Sequence, residues 1–141
     1  MIYSIGQWIQ NLALGFTLGE NLFIGGFPDK RPDGTVTPIR VTTIIDQTSS
    51  AVYFDRPDRV DLVVQVLSRG SDKREAVNDA NTIFKRIHGL SGIDLPEEEH
   101  VSGHEFVAMT IEANQAPQYV GQDTKARFQY STNYIFRMRD G

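Results

Sequence analysis

The sequence predicts an α+β fold: a mainly antiparallel β-sheet with two α-helices packed on one face. Three observations predict it. Arg59 to Gly89 reads as one strongly apolar strand running straight into one amphipathic helix. Ala126 to Arg139 reads as a long strand with aromatic residues on one side and polar residues on the other. The elements come in the order helix, hairpin, strand, helix, strand, strand, over a chain of 141 residues with no internal repeat or low-complexity segment. Residues 1–141 are read as one α+β domain, long enough to bury a sizeable core.

Residues 2 to 14 form the first helix. Ile2, Ile5, Ile9 and Leu12 recur at helical spacing with Trp8 beside them, and Gly15 and Gly19 end it. Leu22 to Phe27 is a short strand, Pro28 to Gly34 a turn-rich loop, and Thr37 to Thr48 a second strand, so the pair is expected to make a hairpin. Gln47 to Asp58 is a connector. In the central strand Val60, Leu62, Val64 and Val66 share one side, while Val63 and Leu67 share the other with Asp61 and Gln65. Apolar residues on both faces mark a central strand. Arg69-Gly70 breaks the run. Asp72 and Glu75 have capping-box spacing, and Ala76, Ala80, Ile83, Phe84 and Ile87 make the apolar stripe of the second helix. Lys85, Arg86 and His88 suit the negative end of its dipole, and Gly89 is its C′ glycine.

Leu90 to Gly103 reads as a polar loop with the acidic run Glu97-Glu98-Glu99. His104 to Asn114 is a strand, with Val107, Met109 and Ile111 on one face and Phe106 and Ala108 on the other. Gln115 to Lys125 reads as a loop around Pro117 and Gly121. In the last strand Phe128, Tyr130, Tyr134, Phe136 and Met138 share the covered face. Arg127, Gln129, Ser131, Asn133, Arg137 and Arg139 share the polar one.

Composition narrows the chemistry. With no cysteine, the chain has no disulfide framework, thiolate zinc site or cysteine nucleophile. A net charge of −4 does not suggest a compact basic nucleic-acid surface. The first sixteen residues lack the pattern of a signal peptide, and no apolar run approaches the roughly 20 residues that span a bilayer. A soluble protein made in a cytoplasm is expected. His100 and His104 stand four apart beside glutamates, but Ser102-Gly103 intervenes and no HExxH occurs, so no metal is expected. Neither GxxxxGK[ST] nor GxGxxG is present, and Ser68, Ser71 and Ser91 lack a nucleophile elbow. No catalytic residue or cofactor is assigned.

Two segments carry a family likeness. One runs from Val64-Gln65-Val66 to Arg69-Gly70, followed by Glu75-Ala76 and Ala80-Asn81-Thr82-Ile83. The other is Pro117-Gln118-Tyr119-Val120-Gly121-Gln122-Asp123, then Ala126-Arg127-Phe128 and Ser131-Thr132-Asn133-Tyr134. Together they resemble the tail terminator, or minor capsid, proteins of long-tailed bacteriophages. There a strand ending in Q-V-x-x-R-G leads into a helix, and a P-x-Y-[IV]-G-x-D loop leads into the last strand. Phe23-Ile24-Gly25 before Pro28 also fits, and Gln122 departs from the basic residue expected at its place.

The resemblance implies a structural virion protein without an active site. It would form a ring, a hexamer, at the head-proximal end of the tail tube. Its partners would be itself, the tail tube protein and the head connector or head completion protein. The ring would be assembled in the host cytoplasm, with DNA passing through unbound and no membrane involved. Other head–tail joining or tail-tube proteins, and a small ligand-binding domain, are the alternatives. Ring closure needs two different complementary surfaces per subunit. Tyr119, Asp123, Arg127, Asn133 and Arg137 are the interface candidates, with an Asp123–Arg127 pair inside one subunit as the rival reading. Six copies at −4 each would make an acidic ring, and Glu97–Glu99 either lines its lumen or lies on its outer rim.

Overall fold

A strand with apolar residues on both faces needs neighbours along both edges and cover above. The computed structural model of the chain, which describes residues 2–47, 52–53, 59–96 and 106–140, gives the central strand all of these. The helices are α1 (Ile2–Asn11) and α2 (Lys73–Ile87). The strands are β1 (Leu22–Ile24), β2 (Val41–Asp46), β3 (Val52–Tyr53), β4 (Arg59–Gly70), β5 (Ser91–Asp94), β6 (Phe106–Ala113), β7 (Gln118–Gln122) and β8 (Phe128–Asp140). They form one sheet in the order β1-β2-β4-β8-β6-β5, with β3 also on β4 and β7 also on β8. All pairings but β1–β2 are antiparallel. The class is therefore α+β, as the alternation patterns predict.

Register decides where the core sits. Val60, Leu62, Val64 and Val66 of β4 lie buried beside Tyr134, Phe136 and Met138 of β8. Onto this face pack Ile5, Trp8 and Ile9 of α1 and Ile83 and Ile87 of α2, all in one cluster. Trp8 meets Phe136 edge-on, 6.3 Å between ring centres. Each such side chain contributes about 1.5–3 kcal/mol on burial, which is why both helices share a face.

The β4–α2 joint needs a missing side chain. A Cβ on Gly70 would stand 2.7 Å from the Glu75 Cβ and 2.9 Å from the Ala76 nitrogen. Only glycine lets the strand end press against the helix start. Asp72 caps α2 through its Oδ1, which accepts from the Glu75 N–H at 2.8 Å. The Glu75 carboxylate reaches Ser71 instead of Asp72, accepting from its N–H and its hydroxyl at 2.8 and 2.7 Å. The box thus closes one residue earlier than the spacing implies. At the other end His88 is the C-cap, and Gly89 follows at φ +85°.

Several expectations are corrected. β1 and β2 are parallel, not a hairpin: Leu22 faces Thr42 and Ile24 faces Ile44. Parallel neighbours need a crossover, which residues 25–40 supply. Strand β4 does not stop at Arg69 but pairs through Gly70 with β8. The segment after Leu90 contains β5, a short and mostly exposed edge strand that shows no apolar alternation. β7 occupies what reads as a loop. In β6 a bulge between Ala108 and Thr110 shifts the alternation. Ala108 and Ile111, three apart, are both fully buried instead of facing opposite ways. α1 ends at Asn11, before Leu14. The acidic run Glu97–Glu99, with His100 and His104, lies outside the described residues.

Candidate functional site

Alternation puts Arg69 on the face of the sheet away from the helices, between Val41 and Gln129 in the register. A charged side chain there needs compensation for lost water. Arg69 as a residue is only 4% exposed. It donates from Nε to the Ile39 carbonyl and from Nη2 to the Pro38 carbonyl, both at 3.0 Å. Its flat side rests over the Phe27 ring, 4.5 Å from the centre. Arg69 thus pins the end of the 25–40 crossover just before β2.

A guanidinium has five N–H donors, and those two bonds leave three without a protein acceptor among the described residues. They border a cleft of about 600 Å³ lined by Phe27, Lys30, Arg69, Asp123, Lys125 and Arg127, with neighbouring loop residues. The far wall is the β7–β8 turn. Asp123 organises it: Oδ1 accepts from the Lys125 and Arg127 N–H groups at 2.9 and 3.0 Å, and Oδ2 from Arg127 Nε at 2.6 Å. The Asp123 N–H donates to the Arg127 carbonyl, and Ala126 takes φ +60° to close the turn. Burial pushes the Asp123 carboxyl up, but the Arg127 and Lys125 bonds outweigh it and hold its pKa below the usual carboxylate value. Arg69 is pulled the other way for a cation. Burial lowers its pKa and the Arg127 charge lowers it further, with Asp123 opposing. Arg69 and Arg127 thus bring like charge to one cleft, and Asp123 offsets the repulsion in part.

The structure brings some predicted residues together and separates others. Asp123 and Arg127 meet within one chain, as the rival reading has it. They share a cleft with Arg69, so the two segments that carry the family likeness converge on one place. Tyr119 is on the helix-bearing face. It packs on Tyr130 and Phe128 with ring centres at 5.4 and 6.3 Å, under the Lys73 ammonium at 4.6 Å, and remains 43% exposed. Asn133 borders a shallow polar depression with Gln65, Gln118 and Ser131. Arg137 stands farther along β8, 3.9 Å from both Asp61 and Glu112. The five candidates therefore form no single site.

Sequence reasoning missed Arg69, which it took for a strand break, and missed Lys30 and Phe27 as its neighbours. The available signal was the charge placed in strand register before a glycine. No group of three or more metal-ligating side chains occurs among the described residues. No described helix is long and apolar enough to cross a membrane.

Comparison with known proteins adds one match. A family model described as bacteriophage tail terminator protein matches residues 6–139, nearly the whole chain. No curated protein matches.

Proposed function

The chain belongs to the bacteriophage tail terminator family, and on that premise we propose that it closes the tail tube as a ring of identical copies. The ring is a hexamer at the head-proximal end of the tube. One side of it stops addition of tube protein and the other receives the head connector. DNA passes through its lumen without being held. The chain works as one structural domain, by fit between surfaces, and no bond is made or broken. The observation that carries this reading is the family match over residues 6–139.

The geometry supports it in two ways. Among the described residues no strand pairs with the outer edge of β7, and the strand bears Tyr119 and Val120, 43% and 53% exposed. An open edge with apolar side chains is a site for another chain. The sheet is also two-faced, with helices on one side and a mixed face of polar and apolar side chains on the other, which suits the unlike surfaces of a closed heterologous ring. Tyr119 and Val120 form one side of the subunit contact in this reading. Asn133 and Arg137 offer polar contact on the other face, while Asp123 and Arg127 shape the turn between them.

Native mass spectrometry tests it. Wild-type chain gives a hexamer. Val120→Asp, at an exposed position, leaves thermal unfolding unchanged but gives monomers. A wild-type chain that is monomeric at all concentrations contradicts the ring, and a V120D hexamer contradicts the β7 edge.

A further inference from the structure

We propose that the Arg69–Lys125–Arg127 cleft is a carboxylate-binding socket whose occupant is the acidic run Glu97-Glu98-Glu99 of a second copy. The cleft is built for an anion. Lys30, Arg69, Lys125 and Arg127 outnumber Asp29 and Asp123 around it, and Asp123 is already engaged by Arg127 and two backbone N–H groups. Arg69 is buried, lines the cavity, has N–H donors without an acceptor among the described residues and feels the Arg127 charge. A carboxylate between the two guanidinium groups removes that repulsion and accepts the spare N–H bonds. A volume of about 600 Å³ admits an extended stretch of side chains rather than a lone ion.

The occupant follows from sequence and from sheet geometry. Glu97–Glu99 is the longest acidic run in the chain. The segment that holds it is rooted where the Leu95 N–H donates to the Phe106 carbonyl, and Phe106 pairs with Asp140 at the far end of β8. The cleft lies at the other end, beside Arg127 and Gln129. Strand β8 has 13 residues, so about 40 Å separates them at the usual rise per residue. Residues 96–105, tethered at both ends, reach out at most about 20 Å. The run therefore cannot fill its own cleft, and an acidic end meeting a basic end makes a heterologous contact between copies. This deepens the ring reading and rests on it for the presence of a second copy.

Two measurements on the full chain test the socket. In sedimentation velocity, Lys125→Glu weakens self-association about tenfold. The Lys125 side chain is exposed, and the turn uses only its backbone N–H. A chain with Glu97→Lys, Glu98→Lys and Glu99→Lys weakens it similarly, and a chain with both sets of changes recovers. Unaltered association in either variant, or no recovery, overturns the proposal. In an NMR titration, a peptide of residues 94–103 shifts the Arg127 and Gln129 signals, and its all-Gln counterpart at 97–99 binds about tenfold more weakly. Equal binding of the two peptides, or displacement by equimolar inorganic phosphate, overturns it. A wild-type chain that stays monomeric yet binds the peptide contradicts the ring and upholds the socket. A ring indifferent to both charge changes does the reverse.

Discussion

Asp123 shows how much one side chain arranges. Its carboxylate ties the Lys125 and Arg127 backbone N–H groups and the Arg127 guanidinium into one turn. Its folded pKa lies below the ordinary carboxylate value of 3.8. The unfolded chain therefore takes up its proton first as pH falls. The stabilisation is complete above the ordinary value and is lost as pH drops through the lowered one. Urea unfolding should find Asp123→Asn less stable than wild type at pH 7, with the gap closing below about pH 4 as the wild-type carboxyl protonates. A gap that is constant with pH would mean that the amide does the same work. Tyr134 shows the opposite case. It is fully buried, and among the described residues neither its hydroxyl nor that of Thr132 has a hydrogen-bond partner. Burial raises its pKa well above the ordinary tyrosine value; the nearby Thr132 hydroxyl, which makes no well-formed hydrogen bond to it, offsets this only partly. Removing an unpaired buried hydroxyl removes a desolvation cost. Tyr134→Phe should leave stability equal or raise it by up to about 1 kcal/mol, and a clear loss in thermal unfolding would show a hidden partner.

At the scale of elements, legibility followed the strength of the pattern. β4 and β8 alternate over long runs, and α2 has a stripe, a cap and a C′ glycine; all three could be read from the residues. The parallel β1–β2 pairing could not, because it needs a crossover whose end is held by Arg69 bonding carbonyls 38 and 39, about thirty residues away in the chain. β5 and β7 owe their strand form to a partner's register rather than to their own alternation. β7 has a bulge between Tyr119 and Gly121, where φ is +112°, and local residues there read as turn chemistry. The same limit hid the cleft: Asp123 and Arg127 were legible as a pair, whereas Arg69 joins them only through the fold. The β4–α2 joint supplies the test at this scale. Gly70→Ala forces a Cβ into the Glu75 Cβ and the Ala76 nitrogen. It should cost about 1–3 kcal/mol of stability by overpacking, read as a lower urea midpoint with an unchanged slope. A neutral effect would mean that α2 does not need its close seat on β4.

For the whole molecule, the family match spans nearly the full chain, and the sheet has unlike faces, an open β7 edge and a cationic cleft at one end of β8. On the proposed reading these supply the unlike surfaces of a closed assembly of copies. Apolar side chains exposed on a strand edge of a single chain have a cost in solubility that the proposed contact would remove. The net charge of −4 per chain makes any such assembly acidic by formal count, in keeping with the proposal that DNA passes without being held. The most direct measurement is electron microscopy of purified tail tubes mixed with the wild-type chain. The account predicts a six-fold ring on one end of each tube and tubes that no longer lengthen when tube protein is added. Tubes that continue to grow with no ring at either end would contradict it.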